Sequence, residues 1–449
     1  MGRLFGTDGV RGIANTELTP ELAYKLGKAG AYVLAKSTHK KPRIVIAKDT
    51  RISGDMLEAA LSAGILSMGA DVLNIGVLPT PAAAYLTKYY GADAGVVISA
   101  SHNPYEYNGI KFFNAEGYKL DDAVEDEIED IINHDIHIQG SITGDKLGKK
   151  YVMEDALLRY TSFLKNTVDI LFEDMKIVID CANGAACQAA EKTFTELGAE
   201  VVAIYNQPNG ININVDCGST HPETLRHKVV EEKADIGLAF DGDADRLIAV
   251  DEKGNIIDGD KIIYICAKML KEENRLKDNL VTATVMSNIG FYKALEGIGC
   301  TVETTKVGDR YVLESMMETK CVIGGEQSGH IIFLEHTTTG DGILSALQLL
   351  RALKKSGKKL SELAGEVVIY PQVLVNAKVK NENKYAYEKN ERIAAEIKKL
   401  EEQMASQGRV LIRPSGTEPL VRVMIEGQNK DEIQKLAEEL AELIEKELN

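Results

Sequence analysis

One pattern recurs three times along this 449-residue chain: an apolar strand, a helical stretch, a glycine and a second strand. The run 43–47 leads to Met68-Gly69-Ala70-Asp71-Val72, and 176–180 leads to Leu197-Gly198-Ala199-Glu200-Val201. Likewise 279–283 leads to Ile298-Gly299-Cys300-Thr301-Val302. Glycine after a helix supplies the left-handed turn that other residues resist. Each unit then reaches a further apolar run that ends in a polar loop. Residues 94–98 end at Ser99-Ala100-Ser101-His102-Asn103-Pro104, 236–240 at Asp241-Gly242-Asp243-Ala244-Asp245-Arg246, and 320–324 at Gly325-Glu326-Gln327-Ser328-Gly329-His330. Strand-helix-strand units bury their apolar faces by packing helices on a sheet, so three related α/β units are expected. Ligands bind beyond strand C-termini in such sheets. If the units pack around a common cleft, three loops of different chemistry meet there.

The tail breaks this pattern. Residues 373–377 read as a strand and roughly 388–404 as a helix. Two strands follow, around 410–412 and 421–425, and a last helix carries Ile433, Leu436, Ala437, Leu440, Leu443 and Ile444 on one face. That is a smaller α+β module. The charged run Lys354-Lys355-Ser356-Gly357-Lys358-Lys359 before it reads as a solvated turn. The expected division is 1–150, 151–253, 254–367 and 368–449.

A net charge of −16 argues against general binding to nucleic acid or an anionic membrane. A local Arg/Lys cluster could still capture an anionic substrate. The six cysteines form no CxxC pair and have no histidines at zinc spacing, so reduced thiols in a cytosol are expected. No apolar run approaches the roughly 18 residues of a membrane helix. The start, Met1-Gly2-Arg3-Leu4-Phe5-Gly6, has no signal-peptide h-region. A cytoplasmic protein is the expectation.

Asp241, Asp243 and Asp245 crowd three carboxylates at the end of a buried strand. Like charges this close repel, and a hard divalent cation such as Mg²⁺ relieves that. An EF-hand is excluded, because Arg246 stands where its glycine belongs and 247–250 reads as strand. Ser101 sits in a turn of small residues where a hydroxyl can act as nucleophile or phosphate carrier; helix capping is the plainer role. Pro104 holds Asn103 extended. His102 is a poor partner for Ser101, since neighbours in extended backbone point apart. Lys111 is a lone charge in the apolar run Asn108-Gly109-Ile110-Lys111-Phe112-Phe113 and calls for a phosphate or carboxylate partner. In Phe5-Gly6-Thr7-Asp8-Gly9-Val10-Arg11-Gly12, glycines admit a close ligand and Arg11 could grip its phosphate. Glu326, Ser328 and His330 between glycines suit sugar hydroxyls. Arg413-Pro414-Ser415-Gly416-Thr417-Glu418-Pro419, with Arg422 beyond, combines arginines, hydroxyls and a glycine into a phosphate cradle.

Four such loops in this order resemble the α-D-phosphohexomutase family over essentially the whole chain. In detail the loops are most similar to those of its bacterial members acting on glucosamine phosphates; only Tyr105-Glu106-Tyr107 departs. The resemblance implies three related α/β mixed-sheet domains and a smaller α+β C-terminal domain around a central cleft. It implies a phosphoserine at Ser101, and Mg²⁺ on Asp241, Asp243, Asp245 and that phosphate. Glu326 and Ser328 would bind sugar hydroxyls. Arg413, Ser415, Gly416, Thr417 and Arg422 would hold the non-reacting phosphate, and Arg11, Lys111, Arg246 and His330 would surround the reacting one. The implied activity interconverts glucosamine 6-phosphate and glucosamine 1-phosphate through glucosamine 1,6-bisphosphate, which or another hexose bisphosphate acts as activator. Lys111 and His330 both remain candidate general bases. A homodimer is implied too. A phosphoglucomutase or phosphomannomutase is the alternative, then a Mg²⁺-dependent phosphatase with Asp241 as nucleophile, then a non-catalytic sugar-phosphate sensor.

Overall fold

The computed structural model describes residues 4–6, 8–34, 40–134, 142–404, 407–415 and 418–449. They divide into two compact units, Met1–Met286 with Cys300–Gly365, and Ser287–Gly299 with Glu366–Asn449.

The larger unit contains three sheets. The first holds β1 (Val10–Ile13), β2 (Arg43–Lys48), β3 (Asp71–Val77), β4 (Ala94–Ile98), β5 (Tyr107–Asn114) and β6 (Lys150–Val152), in the order β1-β5-β4-β2-β3-β6. The second holds β7 (Lys176–Asp180), β8 (Glu200–Ile204), β9 (Ile236–Phe240), β10 (Leu247–Asp251) and β11 (Ile256–Ile257), in the order β11-β10-β9-β7-β8. The third holds β12 (Leu280–Thr284), β13 (Thr301–Thr305), β14 (Ile323–Gly325) and β15 (Ile331–Phe333), in the order β13-β12-β14-β15.

The repeat read from the sequence is a repeat of topology. In each sheet a central strand runs parallel to the two strands beside it, and one of these turns back into an antiparallel partner. The polar loops that follow β4, β9 and β14 are the three equivalent turn-backs, β4 to β5, β9 to β10 and β14 to β15. The central strands are buried, as strands inside an α/β sheet are; Ile44, Val45 and Ile46 of β2, for example, are at most 1% exposed. Two helices beside the first sheet, Pro20–Leu34 and Ser53–Ser67, approach so closely that a Cβ on Gly27 would meet Leu61 O at 2.3 Å.

The third repeat departs from expectation twice. The run 320–324 is not all strand: Lys320 caps the helix Asp309–Thr319 in a left-handed conformation, and β14 starts only at Ile323. The helix of this repeat, Ile289–Gly297, belongs to the smaller unit. There Asn288 Nδ2 donates to Glu426 Oε1 at 3.2 Å and Ile289 N to Glu426 Oε2 at 3.1 Å, while Arg409 Nε lies 2.7 Å from the same carboxylate.

The smaller unit is an antiparallel sheet of β16 (Gln372–Lys378), β17 (Arg409–Pro414) and β18 (Leu420–Glu426), in the order β16-β18-β17. The helices Glu391–Met404 and Lys430–Leu448 belong to it. Asn429 caps the last helix by accepting from Asp431 N and Glu432 N. Its face of Ile433, Ala437, Leu440 and Ile444 is buried, with Leu436 and Leu443 packed alongside. The preceding helix starts later than expected, at Glu391, because Ala386–Lys389 forms a 3₁₀ turn.

One buried acid positions the backbone under the acidic loop. Asp180, at the end of β7, accepts from Ala182 N and Gly218 N, each at 2.9 Å. The bend that follows lets Ala185 N donate to Gly242 O at 2.8 Å. Burial pushes Asp180 up to about 6. The folded chain therefore holds this proton more tightly than the unfolded one, and the associated stability is lost as pH rises from about 4 through about 6. Asp180→Asn should remove that slope, worth on the order of 2–3 kcal/mol. Thermal midpoints of variant and wild type between pH 4 and 7 check this; parallel curves would contradict it.

Candidate active site

The serine loop is built from beneath. Ser99 Oγ donates to Asp49 Oδ2 at 2.6 Å and accepts from Ser101 N at 3.0 Å. Arg51 lies under the loop with its side chain fully buried, paired to Asp49 at 2.9 Å. Its Nη2 donates to Ser101 O at 2.9 Å and Asn103 O at 2.8 Å, and its Nη1 to Pro104 O and to Tyr107 O at 3.1 Å. Asn214 Nδ2 also reaches Ser101 O, at 2.9 Å. Ser101 stands at φ 52°, a left-handed conformation costly for a side-chain residue, and these donors hold the loop around it. The backbone is thus not extended at Ser101, contrary to the sequence expectation. His102 Nδ1 lies 3.5 Å from Ser101 Oγ, at the outer limit of a hydrogen bond. The nearer partner is Asp241, whose Oδ2 accepts from Ser101 Oγ at 2.5 Å.

Asp241, Asp243 and Asp245 are all nearly buried, each offering a carboxylate oxygen within 4.8 Å of the others'. Burial and then the charges of Asp245 and Asp243 push Asp241 well above the usual carboxylate range. Asp243 Oδ1 and Asp245 Oδ1 are buried with no hydrogen-bond partner among the described residues. Orphaned hard oxygens on converging acids fit a divalent cation, and Mg²⁺ in particular.

Asp243 uses its other oxygen for protein contacts: Thr80 Oγ1 donates to Oδ2 at 2.6 Å and Lys111 Nζ at 2.8 Å. Lys111 therefore has the carboxylate partner its position in β5 calls for. It also lies 2.9 Å from Asp8 Oδ2. Burial opposes its charge, but Asp243 and Asp8 outweigh that and shift it upward, so it is held as an ammonium. Asp8 pairs in turn with Arg11 and with Lys119, the latter at 2.6 Å. Burial raises Asp8, yet Lys111, Lys119 and Arg11 together hold it well below the usual range. Arg246 N donates to Asp241 Oδ1 at 3.2 Å, and its guanidinium Nε lies 3.8 Å from Asp245.

The loop 325–330 joins this cluster through backbone contacts. Arg246 and His330 form a β-bridge, and Leu247 N donates to Gly329 O at 3.0 Å. His330 is buried, and its Nε2 accepts from Gly340 N at 3.2 Å. Glu326 Oε1 accepts from Gly308 N at 3.0 Å, and Ser328 is exposed.

In the smaller unit Arg413 and Arg422 face one another across β17 and β18. Burial and then Arg422 lower Arg413, a strain that a bound anion would relieve. Ser415 Oγ accepts from Glu418 N at 3.1 Å. Gly416 and Thr417 lie outside the described residues.

The phosphoglucomutase/phosphomannomutase family matches four successive stretches: alpha/beta/alpha domain I over residues 2–138, domain II over 158–254, domain III over 258–369 and the C-terminal domain over 374–443. The chain belongs to this family. The phosphoglucosamine mutase of Clostridium novyi (strain NT) is 60% identical over 449 residues, covering 100% of both chains. That of Thermoanaerobacter pseudethanolicus is 62% identical with the same coverage. The fold is shared with a Burkholderia thailandensis phosphoglucomutase/phosphomannomutase family protein at TM-score 0.83 and 24% identity, covering 98% of this chain and 97% of that one. It is also shared with Aspergillus fumigatus N-acetylphosphoglucosamine mutase, solved with GlcNAc-6P and magnesium, at TM-score 0.70 and 18% identity over 99% and 96%. A second structure of that enzyme, with glucose 1,6-bisphosphate, matches at TM-score 0.66 and 18% identity over 100% and 96%.

Within this family frame, the larger unit brings together Ser101, the three aspartates, Lys111, Arg246 and His330, with Arg11 tied in through Asp8. Arg413, Ser415 and Arg422 lie in the smaller unit. Arg51, Asp49, Asn214, Asp8, Lys119 and Asp309 were missed by sequence reasoning. A signal existed for two of them: Asp49 and Arg51 follow directly on the central strand β2, at the sheet edge where ligands collect. Among the described residues no helix is long and apolar enough to cross a membrane.

Proposed function

We propose that this chain interconverts glucosamine 6-phosphate and glucosamine 1-phosphate, through a phosphoserine at Ser101 and a glucosamine 1,6-bisphosphate intermediate. The reaction belongs to amino-sugar nucleotide and cell-wall precursor synthesis. The contact that carries this reading is Ser101 Oγ at 2.5 Å from Asp241, where a small loop hydroxyl meets a cation-binding carboxylate. In the forward half-reaction the sugar hydroxyl attacks phosphorus and gives up its proton as the bond between phosphorus and Ser101 Oγ breaks, and the freed Ser101 Oγ takes a proton to become a hydroxyl. In the return half-reaction the other phosphate of the bisphosphate goes back to Ser101. A hexose bisphosphate can likewise load the serine, which explains its role as activator.

Phosphoryl transfer asks mainly for positioning and charge stabilisation. Arg11, Lys111 and Arg246 supply fixed positive charge around the serine. Asp241, Asp243 and Asp245 would hold Mg²⁺, which when bound neutralises charge on the transferring phosphoryl oxygens. Lys111, held as an ammonium by Asp243 and Asp8, is suited to stabilising charge rather than accepting a proton. His330 Nε2 takes the Gly340 N–H, and its Nδ1 is buried without a partner among the described residues. Glu326 and Ser328 would read sugar hydroxyls, and Arg413, Ser415, Gly416, Thr417 and Arg422 would grip the second phosphate. Each loop is carried by its own segment, 1–150, 151–253, 254–367 and 368–449.

The test compares turnover on glucosamine 6-phosphate and glucose 6-phosphate, with Mg²⁺ and a trace of bisphosphate. We expect kcat/KM to favour glucosamine at least tenfold, about 1.4 kcal/mol. Equal or reversed values would move the assignment to a general hexose phosphate mutase.

A further inference from the structure

Five charged side chains alternate in one line through the larger unit: Asp243, Lys111, Asp8, Lys119 and Asp309. Lys111 Nζ lies 2.8 Å from Asp243 and 2.9 Å from Asp8. Lys119 Nζ lies 2.6 Å from Asp8 Oδ1 and also pairs with Asp309 Oδ2. Asp309 Oδ2 is in turn 3.6 Å from His330 Nε2. The two ends belong to different repeats. Asp8 stands in the N-terminal loop and Lys119 just after β5, whereas Asp309 opens the helix Asp309–Thr319 of the third repeat. Next to Asp309, Gly308 N is the donor that holds Glu326. A cavity of about 150 Å³ is lined by Asp8, Lys111, Lys119, Gly308 and Asp309 together.

Lys119 has no evident place in the chemistry. It touches neither Ser101 nor the aspartate triad, yet its side chain is only 18% exposed. Burying a charge is costly unless its partners are well placed, and the best-attested reason for retaining such a group is to fix a register. Lys119 holds the carboxylate that orients Arg11 and Lys111, and equally the residue that adjoins Glu326 and His330.

We infer that Lys119, clamped between Asp8 and Asp309, is a positioning residue that registers the phosphoryl-transfer cations against the sugar-reading residues. This rests on the mutase reading above. A shift of about 1 Å between reacting groups can cost about 100-fold in rate. The loss should fall on transfer between Ser101 and the sugar in both directions, since loading from a bisphosphate is the reverse of that transfer. A misregistered phosphoserine is then attacked more often by water, breaking the same P–O bond but releasing inorganic phosphate instead of sugar phosphate.

The experiment measures, for wild type and Lys119→Met, mutase kcat, KM, inorganic phosphate released per mutase turnover, and Ser101 loading by glucose 1,6-bisphosphate. Lys119→Met should lower kcat ten- to hundredfold with KM within about threefold. The rate of loading should fall in step with kcat, and phosphate release per turnover should rise at least tenfold. Lys119→Arg should restore much of both kcat and the partition. Unchanged kcat overturns the inference, and so does a kcat loss with an unchanged partition, the mark of a merely structural fastening. If Lys119→Met does not fold, Asp309→Asn, which keeps shape and removes the pair, must show the same raised partition or the inference fails. Absence of mutase turnover in wild type would sink the functional reading itself.

Discussion

Ser101→Ala should lower mutase turnover by about 10⁴-fold or more, because without the hydroxyl there is no atom to carry the phosphoryl group. Stability should change little. The substitution removes one hydrogen bond, from Ser101 Oγ to Asp241, worth on the order of 1 kcal/mol. Asp241 keeps its contact from Arg246 N. The left-handed backbone at position 101 strains alanine and serine alike, so the loop, held by Arg51 and Asn214 through its carbonyls, keeps its shape. Intact-mass analysis after incubation with glucose 1,6-bisphosphate should show a phosphoryl group on wild type and none on the variant. Turnover surviving in the variant would remove the phosphoserine from the mechanism and revive the phosphatase reading with Asp241 as nucleophile.

Asp243→Asn should be the next most damaging change. The residue points one oxygen into the triad, where it has no protein partner, and gives the other to Lys111 and Thr80. Asparagine fills the same space but removes a charge that the cation needs and Lys111 uses. Mg²⁺ affinity should fall about 100-fold and turnover about 10³-fold. Titration calorimetry and kinetics measure these separately. A readout independent of activity is the thermal midpoint, which millimolar Mg²⁺ should raise in wild type and leave nearly unmoved in the variant, since a ligand stabilises only the state that binds it. Wild-type activity that persists in excess chelator would contradict the metal site.

Much of the site was legible because its residue types are improbable anywhere else. Three acids in six positions after a buried strand, or a lysine inside an apolar run, have few satisfactory environments, and the structure supplies them: the triad converges, and Lys111 meets Asp243. The repeat was legible for a different reason. Strand periodicity and helix-ending glycines are local, so each unit announces itself within about 60 residues, and equal topology then puts the three polar loops at equivalent turns.

What stayed hidden depends on partners far apart in the chain. Arg51 looked like any arginine near a helix start; its role comes from carbonyls about 50 positions later. Lys119 and Asp309 are 190 positions apart, and nothing near either one predicts an ion pair. The helix Ile289–Gly297 follows the repeat in sequence but groups with the smaller unit, because Glu426 satisfies its N-terminus. Local patterning by itself determined the strands, the repeats and the chemical kind of each loop, since backbone periodicity and side-chain charge act over a few residues. Only the tertiary structure decided that Ser101 turns left-handed onto Asp241, that Lys111 is held charged, and that Asp8 gathers three cations. Those outcomes are set by burial and by Coulomb interactions across long chain separations, which exist only once the sheets have packed.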